Sequence, residues 1–356
     1  MKYNQLGISK TKVSAIGLGT MTFGEQCSEK ESFGIMDLAF ERGVNLFDTA
    51  EIYPIYPKKE TTGRSEEYIG NWVKKNKNRD KIVIASKIAS GHPIGVGATG
   101  LAWIRNGKKY LKFDKKNINK AVNDSLKRLK TDYIDLYQLH WPERNVAVFG
   151  KLDFAYDPKD TEWTPIEDVL ESLNEIIKSG KVRHIGLSNE TPWGILTFIN
   201  ASKNRNLPRM MSVQNGYSLI NRVFDIANSE VAIREKCGLL AYSPLAGGRL
   251  SGKYMNGNKP KNCRYTLWPK RFSRHDTIRG EKAIKKYLDL SKKYNISPSV
   301  LANAFVNSRP FVTSNIIGVT STDQLKEDIS SIDYKLSEEM LNDIEDIHLS
   351  DPNPCV

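Results

Sequence analysis

Along the chain, short apolar runs alternate with segments whose apolar residues recur at i, i+3, i+4 and i+7, the period of a helix with one buried face. The runs are Val13–Leu18, Val44–Phe47, Ile82–Ser86, Tyr133–Leu139, His184–Leu187, Met211–Gln214, Gly238–Tyr242 and Ser314–Ile317. The helical segments are 31–42, 64–76, 117–130, 166–179, 191–204, 223–236, 280–294 and 322–331, with further helical patterns at 298–308 and 337–346. Strands that are apolar throughout rather than alternating are covered on both faces, and helices between them make them parallel. Eight such units without a break in composition predict one (β/α)₈ barrel spanning residues 1–356 as a single domain, with an open doubly wound sheet as the alternative. Tyr3–Ser9 reads as a hairpin with its turn at Leu6-Gly7-Ile8, placed to plug the bottom of the barrel. Insertions at 88–115, 142–163 and 243–279 all follow strands, which puts them on the face where barrel enzymes keep their active sites.

Composition narrows this picture little. With 39% hydrophobic and 26% charged residues, the 356-residue chain is neither disordered nor fibrous. No run approaches the roughly 18 apolar residues of a membrane span, and the opening Met-Lys-Tyr-Asn-Gln-Leu-Gly lacks a signal-peptide core, so a cytoplasmic protein without membrane association is expected. Cys27, Cys237, Cys263 and Cys355 are widely spaced and read as reduced thiols. The formal charge of +12 is scattered, as at Lys74-Lys75-Asn76-Lys77, which favours a solvated surface over a nucleic-acid interface.

The chemistry lies at the carboxyl ends of the strands. The second ends Phe47-Asp48-Thr49, the third Ser86-Lys87 and the fourth Leu139-His140-Trp141, while Tyr53 follows Asp48 by five residues. A phenol donates a proton at neutral pH only if its phenolate is stabilised; a neighbouring ammonium does this, and a carboxylate fixes the ammonium. Tyr53, Lys87 and Asp48 suit these roles, and His140 suits orientation of a substrate oxygen. Such a group protonates a carbonyl oxygen as hydride reaches its carbon, and no side chain supplies hydride.

Asp48, Tyr53, Lys87 and His140 match in type, order and spacing the catalytic tetrad of the aldo-keto reductases, which the whole chain resembles. Within that family it is similar to the bacterial Tas-like branch, through Ser251-Gly252-Lys253-Tyr254-Met255-Asn256-Gly257 and Leu139-His140-Trp141-Pro142, and it also resembles the potassium-channel β-subunit branch. The resemblance implies a (β/α)₈ barrel that binds NADP(H) across its C-terminal face and reduces aldehydes or ketones to alcohols. Ser188, Asn189 and Gln214 would hold the nicotinamide carboxamide, and Tyr217 would stack on its ring. Gly19, Thr20 and Met21 would touch the cofactor through backbone, while Ser243, Leu245, Gly247 and Lys253 would line the pyrophosphate. Gly318, Thr320, Gln324 and Glu327 would hold the adenosine end, with Arg264 on the 2′-phosphate. Asp328 departs from the Asn of the channel-subunit branch and adds negative charge near the phosphate. The channel relatives raise an alternative, a cofactor-binding redox-sensing subunit with slow turnover; substrate and oligomeric state stay open.

Several motifs are set aside. Gly95-Val96-Gly97-Ala98-Thr99-Gly100 spells a dinucleotide fingerprint but neither leaves a strand nor opens a helix. Asn123-Asp124-Ser125 is a glycosylation sequon inside a predicted helix. His92, His184, His275 and His348 have no ligand-like spacing, so no metal is assigned. Trp103, Trp141, Trp163 and Trp268 are candidates to wall a substrate pocket, and Trp72 and Trp193 are expected in the core.

Overall fold

The computed structural model describes residues 1–91, 103–105, 111–269 and 272–356. The Gly95–Gly100 run and His92 lie outside the described residues. Eight parallel strands close into a barrel in chain order: β3 (Ile16–Gly19), β4 (Leu46–Asp48), β5 (Val83–Ile88), β6 (Ile134–Leu139), β7 (Val182–Ser188), β8 (Met210–Gly216), β9 (Gly238–Tyr242) and β10 (Val312–Ile317), with β10 pairing back onto β3. Helices pack outside. They are α1 (Glu29–Glu41), α2 (Arg64–Asn76), α3 (Lys115–Leu129), α4 (Ile166–Lys178), α5 (Pro192–Arg205), α6 (Asn228–Arg234), α7 (Arg264–Leu267), α8 (Ile278–Lys293), α9 (Pro298–Asn307), α10 (Thr322–Ser330) and α11 (Glu338–Ser350). The fold is the predicted (β/α)₈ barrel. Among the described residues no helix is long and apolar enough to cross a membrane.

The sequence pattern explains the elements. In α4 the buried residues Ile166, Val169, Leu170, Leu173 and Ile176 form one stripe, which docks on the barrel. Every residue of β5 and β6 is buried, because helices cover the outer face and the barrel interior covers the other. One predicted helix is corrected: 223–236 is a single 3₁₀ turn, Val223–Asp225, followed by the short α6, because Ala227 adopts φ 61 and breaks the helical path.

β1 (Tyr3–Gln5) and β2 (Lys12–Ser14) form a hairpin at the barrel's amino end, as expected, but its second strand lies beyond the expected 3–9 segment and takes in Val13 of the first apolar run. Its Leu6 is buried in the barrel floor with Val13, Leu46, Val83, Ala85, Leu136, Leu240 and Ile316. The next residue, Gly7, has φ +58, and a Cβ there would stand 2.6 Å from the Met211 carbonyl oxygen, so only glycine fits this turn. Among the tryptophans, Trp72 is core as expected, whereas Trp193 is 54% exposed beneath the Arg144 guanidinium, because it falls on the solvent side of α5.

Candidate active site

Strand alternation builds the site. Residues two apart on a strand share a face, so the apolar floor formed by Leu46, Ala85 and Leu136 is followed one layer up by Asp48, Lys87 and Gln138. His140 and Ser188 continue those inward positions at the mouth. The carboxyl end of the barrel therefore changes from apolar to polar within one layer, and the four residues picked from the strand ends meet there.

Lys87 is fully buried and its Nζ donates to Asp48 Oδ2 at 2.7 Å, to the Thr49 carbonyl at 2.8 Å and to the Tyr53 hydroxyl at 3.5 Å. Gln214 Nε2 donates to the other Asp48 oxygen at 2.7 Å, so the carboxylate is held from two sides. The Tyr53 and His140 rings meet edge to face, centroids 5.6 Å apart. Burial lowers the Lys87 ammonium below its ordinary 10.5, with Asp48 opposing. Burial, and then the charge of Asp48, holds the Tyr53 phenol well above 10, with Arg264 pulling the other way. Excluding water from the phenolate, with the Asp48 charge, outweighs the pull of Arg264. Tyr53 is therefore a neutral donor across the physiological range, and Lys87 stands where phenolate charge develops. Burial and then Lys87 push His140 well below 6.5, so its imidazole is neutral, and its buried Nδ1 has no partner among the described residues.

Asp48, Tyr53, His140 and Gln214 line a cavity of about 630 Å³, a size typical of ligand sites, with Lys87 buried against them. Of the predicted cofactor residues, Gly19, Met21, Ser188, Asn189, Gln214, Ser243, Leu245, Gly247, Lys253, Arg264, Gly318, Thr320, Gln324 and Glu327 all line it. Two do not. Thr20 is buried on the outer side of β3, where its hydroxyl donates to the Asp48 carbonyl at 2.9 Å. Tyr217 points away from the cavity, stacks on Phe305 and donates its hydroxyl to Asp225 at 2.8 Å. Beside Asn189 the cavity is lined by Tyr242, whose hydroxyl donates to Asn189 Oδ1 at 2.7 Å, while Asn189 Nδ2 donates to the His140 carbonyl at 2.8 Å. Asn189 and Ser243 have φ of 53 and 59, a left-handed backbone that clusters at functional sites. Of the candidate tryptophans only Trp141 lines the cavity; Trp103 packs behind it, and Trp163 lines a separate small cleft.

The far end of the cavity is set by α10, whose amino terminus is capped by Ser321 and favours negative charge. Here Gln324 Oε1 accepts from the Thr320 backbone at 2.9 Å. Gly318 leaves open space: a Cβ there would meet no atom within 4 Å. Asp328, buried and accepting from Asn303 Nδ2 at 2.9 Å, is pushed up to about 8 by burial and then by Glu327. At neutral pH its carboxyl is mostly protonated, which mutes the negative charge the sequence placed there. A carboxyl whose folded value is raised contributes stability at low pH that is lost as pH climbs through that value. Asp328→Asn is therefore expected to melt higher than the parent by about 2 °C or more at alkaline pH, a gap that closes on acidification; differential scanning fluorimetry between about pH 5 and about pH 9 checks this.

The whole constellation, a buried lysine–carboxylate pair beneath a tyrosine and a histidine at the mouth of an eight-stranded barrel, agrees with the comparisons with known proteins. A model of the aldo/keto reductase family matches residues 15–348. The chain is 42% identical to "Protein tas" of Escherichia coli (strain K12) over 355 residues, 98% of each chain. It is 39% identical to an "Aldo-keto reductase" of Babesia bovis over 264 residues, covering 70% of this chain and 88% of that one. It is 31% identical to the "Uncharacterized oxidoreductase YrpG" of Bacillus subtilis (strain 168), over 98% of this chain and 96% of the relative. With its barrel, its site and a family match over nearly its whole length, the chain is an oxidoreductase and belongs to the aldo/keto reductase family.

Proposed function

We propose that the protein reduces small-molecule aldehydes or ketones to alcohols with NADPH, using Tyr53 as proton donor. The observation that carries this reading is the contact of Lys87 Nζ with both Asp48 and the Tyr53 hydroxyl at the closed end of the cavity. A reduced nicotinamide, when bound, supplies hydride to the carbonyl carbon. Tyr53 gives its proton to the carbonyl oxygen as negative charge builds there; that oxygen is then a stronger base than the phenolate left behind. Lys87, fixed by Asp48, neutralises the phenolate. The neutral His140 imidazole donates its one N–H to the same oxygen and orients it.

The residues present suit a dinucleotide. Ser188, Asn189 and Gln214 offer the donors and acceptors that a carboxamide needs, and Tyr242 offers the flat ring. Lys253 and Arg264 are cations facing the cavity with no carboxylate ion pair among the described residues, suited to phosphate. Gly247, at φ +68, keeps the loop close to the cavity without a side chain; a Cβ there would lie 2.9 Å from the Tyr265 hydroxyl.

Because Gly318 borders open space, Gly318→Leu is expected to fold normally but fill the adenosine end of the cavity. NADPH affinity is expected to fall by at least about tenfold, equivalent to about 1.4 kcal/mol, without loss of thermal stability. Fluorescence titration with NADPH and NADH reads this directly. An unchanged NADPH affinity would place the cofactor elsewhere.

A further inference from the structure

Between Asp48 and Tyr53 lies Glu51, a buried carboxylate that the reaction above does not use. It meets Arg105, from the insertion after β5, and the two side chains are 3% and 2% exposed. Arg105 Nη1 donates to Glu51 Oε1 in a close contact, and its Nη2 donates to the Ala89 carbonyl at 2.6 Å. The Ala89 amide donates to the same Glu51 oxygen at 2.6 Å, and the Glu51 amide donates to the Lys87 carbonyl at 3.2 Å. These four contacts close a ring that joins the loop carrying Tyr53 to the strand end carrying Lys87. Neighbouring Ile104 and Trp103 pack against Ile52, Tyr53 and Trp141. Arg105 itself has φ 51, a strained backbone for a non-glycine residue.

A buried ion pair is a weak source of stability, because desolvating two charges offsets much of their attraction, and apolar residues of similar size would hold the fold as well. What an apolar pair cannot provide is the planar fork that reaches a carboxylate and a carbonyl in one fixed geometry. We propose that Arg105 is a positioning residue which, through Glu51, sets the distance between Tyr53 and Lys87. This rests on the reading of Tyr53 as the proton donor. Arg105 would then contribute to turnover without touching substrate or cofactor.

The test compares the full-length parent with Arg105→Met and Arg105→Lys by hydrogen exchange and by kinetics. In Arg105→Met, amides of residues 49–53 are expected to exchange at least about tenfold faster while those of α4 and β8 are unchanged. Displacement of a catalytic group by about 1 Å costs on the order of 10²-fold in rate, so kcat is expected to fall about 10- to 100-fold with cofactor Kd within about twofold of the parent. Arg105→Lys keeps the charge but loses the fork, and is expected to fall between the two in both readouts. Unchanged exchange at 49–53 in a folded variant, or a rise spread over the whole barrel, overturns the proposal; if Arg105→Met does not fold, Arg105→Lys is judged by the same two outcomes. Were the parent to reduce no carbonyl, the reading of Tyr53 would fall, whereas exchange at 49–53 would still decide whether Arg105 holds the loop.

Discussion

Tyr53→Phe is expected to lower kcat for carbonyl reduction by roughly 10²–10⁴-fold, the usual cost of removing a general acid, while NADPH affinity stays within about twofold of the parent. The change deletes one oxygen and leaves the ring, so the edge-to-face contact with His140 and the packing against Ile52 and Trp141 are retained. Lys87 keeps its bonds to Asp48 and Thr49 and loses only the longest of its three contacts. The loss should therefore appear in the chemical step alone, which single-turnover absorbance measurements separate from binding. Turnover within about threefold of the parent would remove Tyr53 from the role.

Lys87→Met is expected to be more damaging, because it acts on chemistry and on the fold together. The buried ammonium holds Asp48, Thr49 and Tyr53. Without it the Asp48 carboxylate keeps its Gln214 contact but has no cation, and breaking a buried pair this way costs about 3–5 kcal/mol. A lowered Tm is expected alongside a kcat loss of at least roughly 10²-fold. The direction of reaction separates the two effects. Alcohol oxidation needs the phenolate, which Lys87 stabilises, so the pH at which oxidation rises should move upward in the variant. A stability loss with an unshifted oxidation profile would show that Lys87 supports the fold without acting on the phenol.

Most of this architecture was legible in the residues. Parallel barrel strands are covered on both sides, so each appears as a short run with few polar interruptions; each of the eight runs overlaps a barrel strand, although Val13–Leu18 also takes in the end of β2. Asp48, Lys87 and His140 were legible because their strands end abruptly in an ionisable group after an apolar run. Tyr217 shows what the pattern alone concealed. Tyr217 follows β8 and Tyr242 ends β9, and only the parity of each strand tells them apart. Counting by twos from the inward Gln214 puts Tyr217 on the outer face, whereas counting from Leu240 in the barrel floor puts Tyr242 inside. The same parity turns Thr20 outward, since Gly17 and Gly19 face the interior atoms of Ile316. The tie between Glu51 and Arg105 had no such signal, because 54 residues of chain separate its two halves. The raised Asp328 carboxyl was equally hidden, since burial rather than residue type sets it.

The most direct measurement is reduction of a broad carbonyl panel by the purified full-length protein with NADPH, after titration has shown that the cofactor binds. The expected result is oxidation of NADPH matched one for one by alcohol, lowered by roughly 10²–10⁴-fold in Tyr53→Phe. Saturable NADPH binding with no carbonyl reduced anywhere on the panel would contradict the assignment of Tyr53, Lys87, Asp48 and His140 to proton and hydride chemistry.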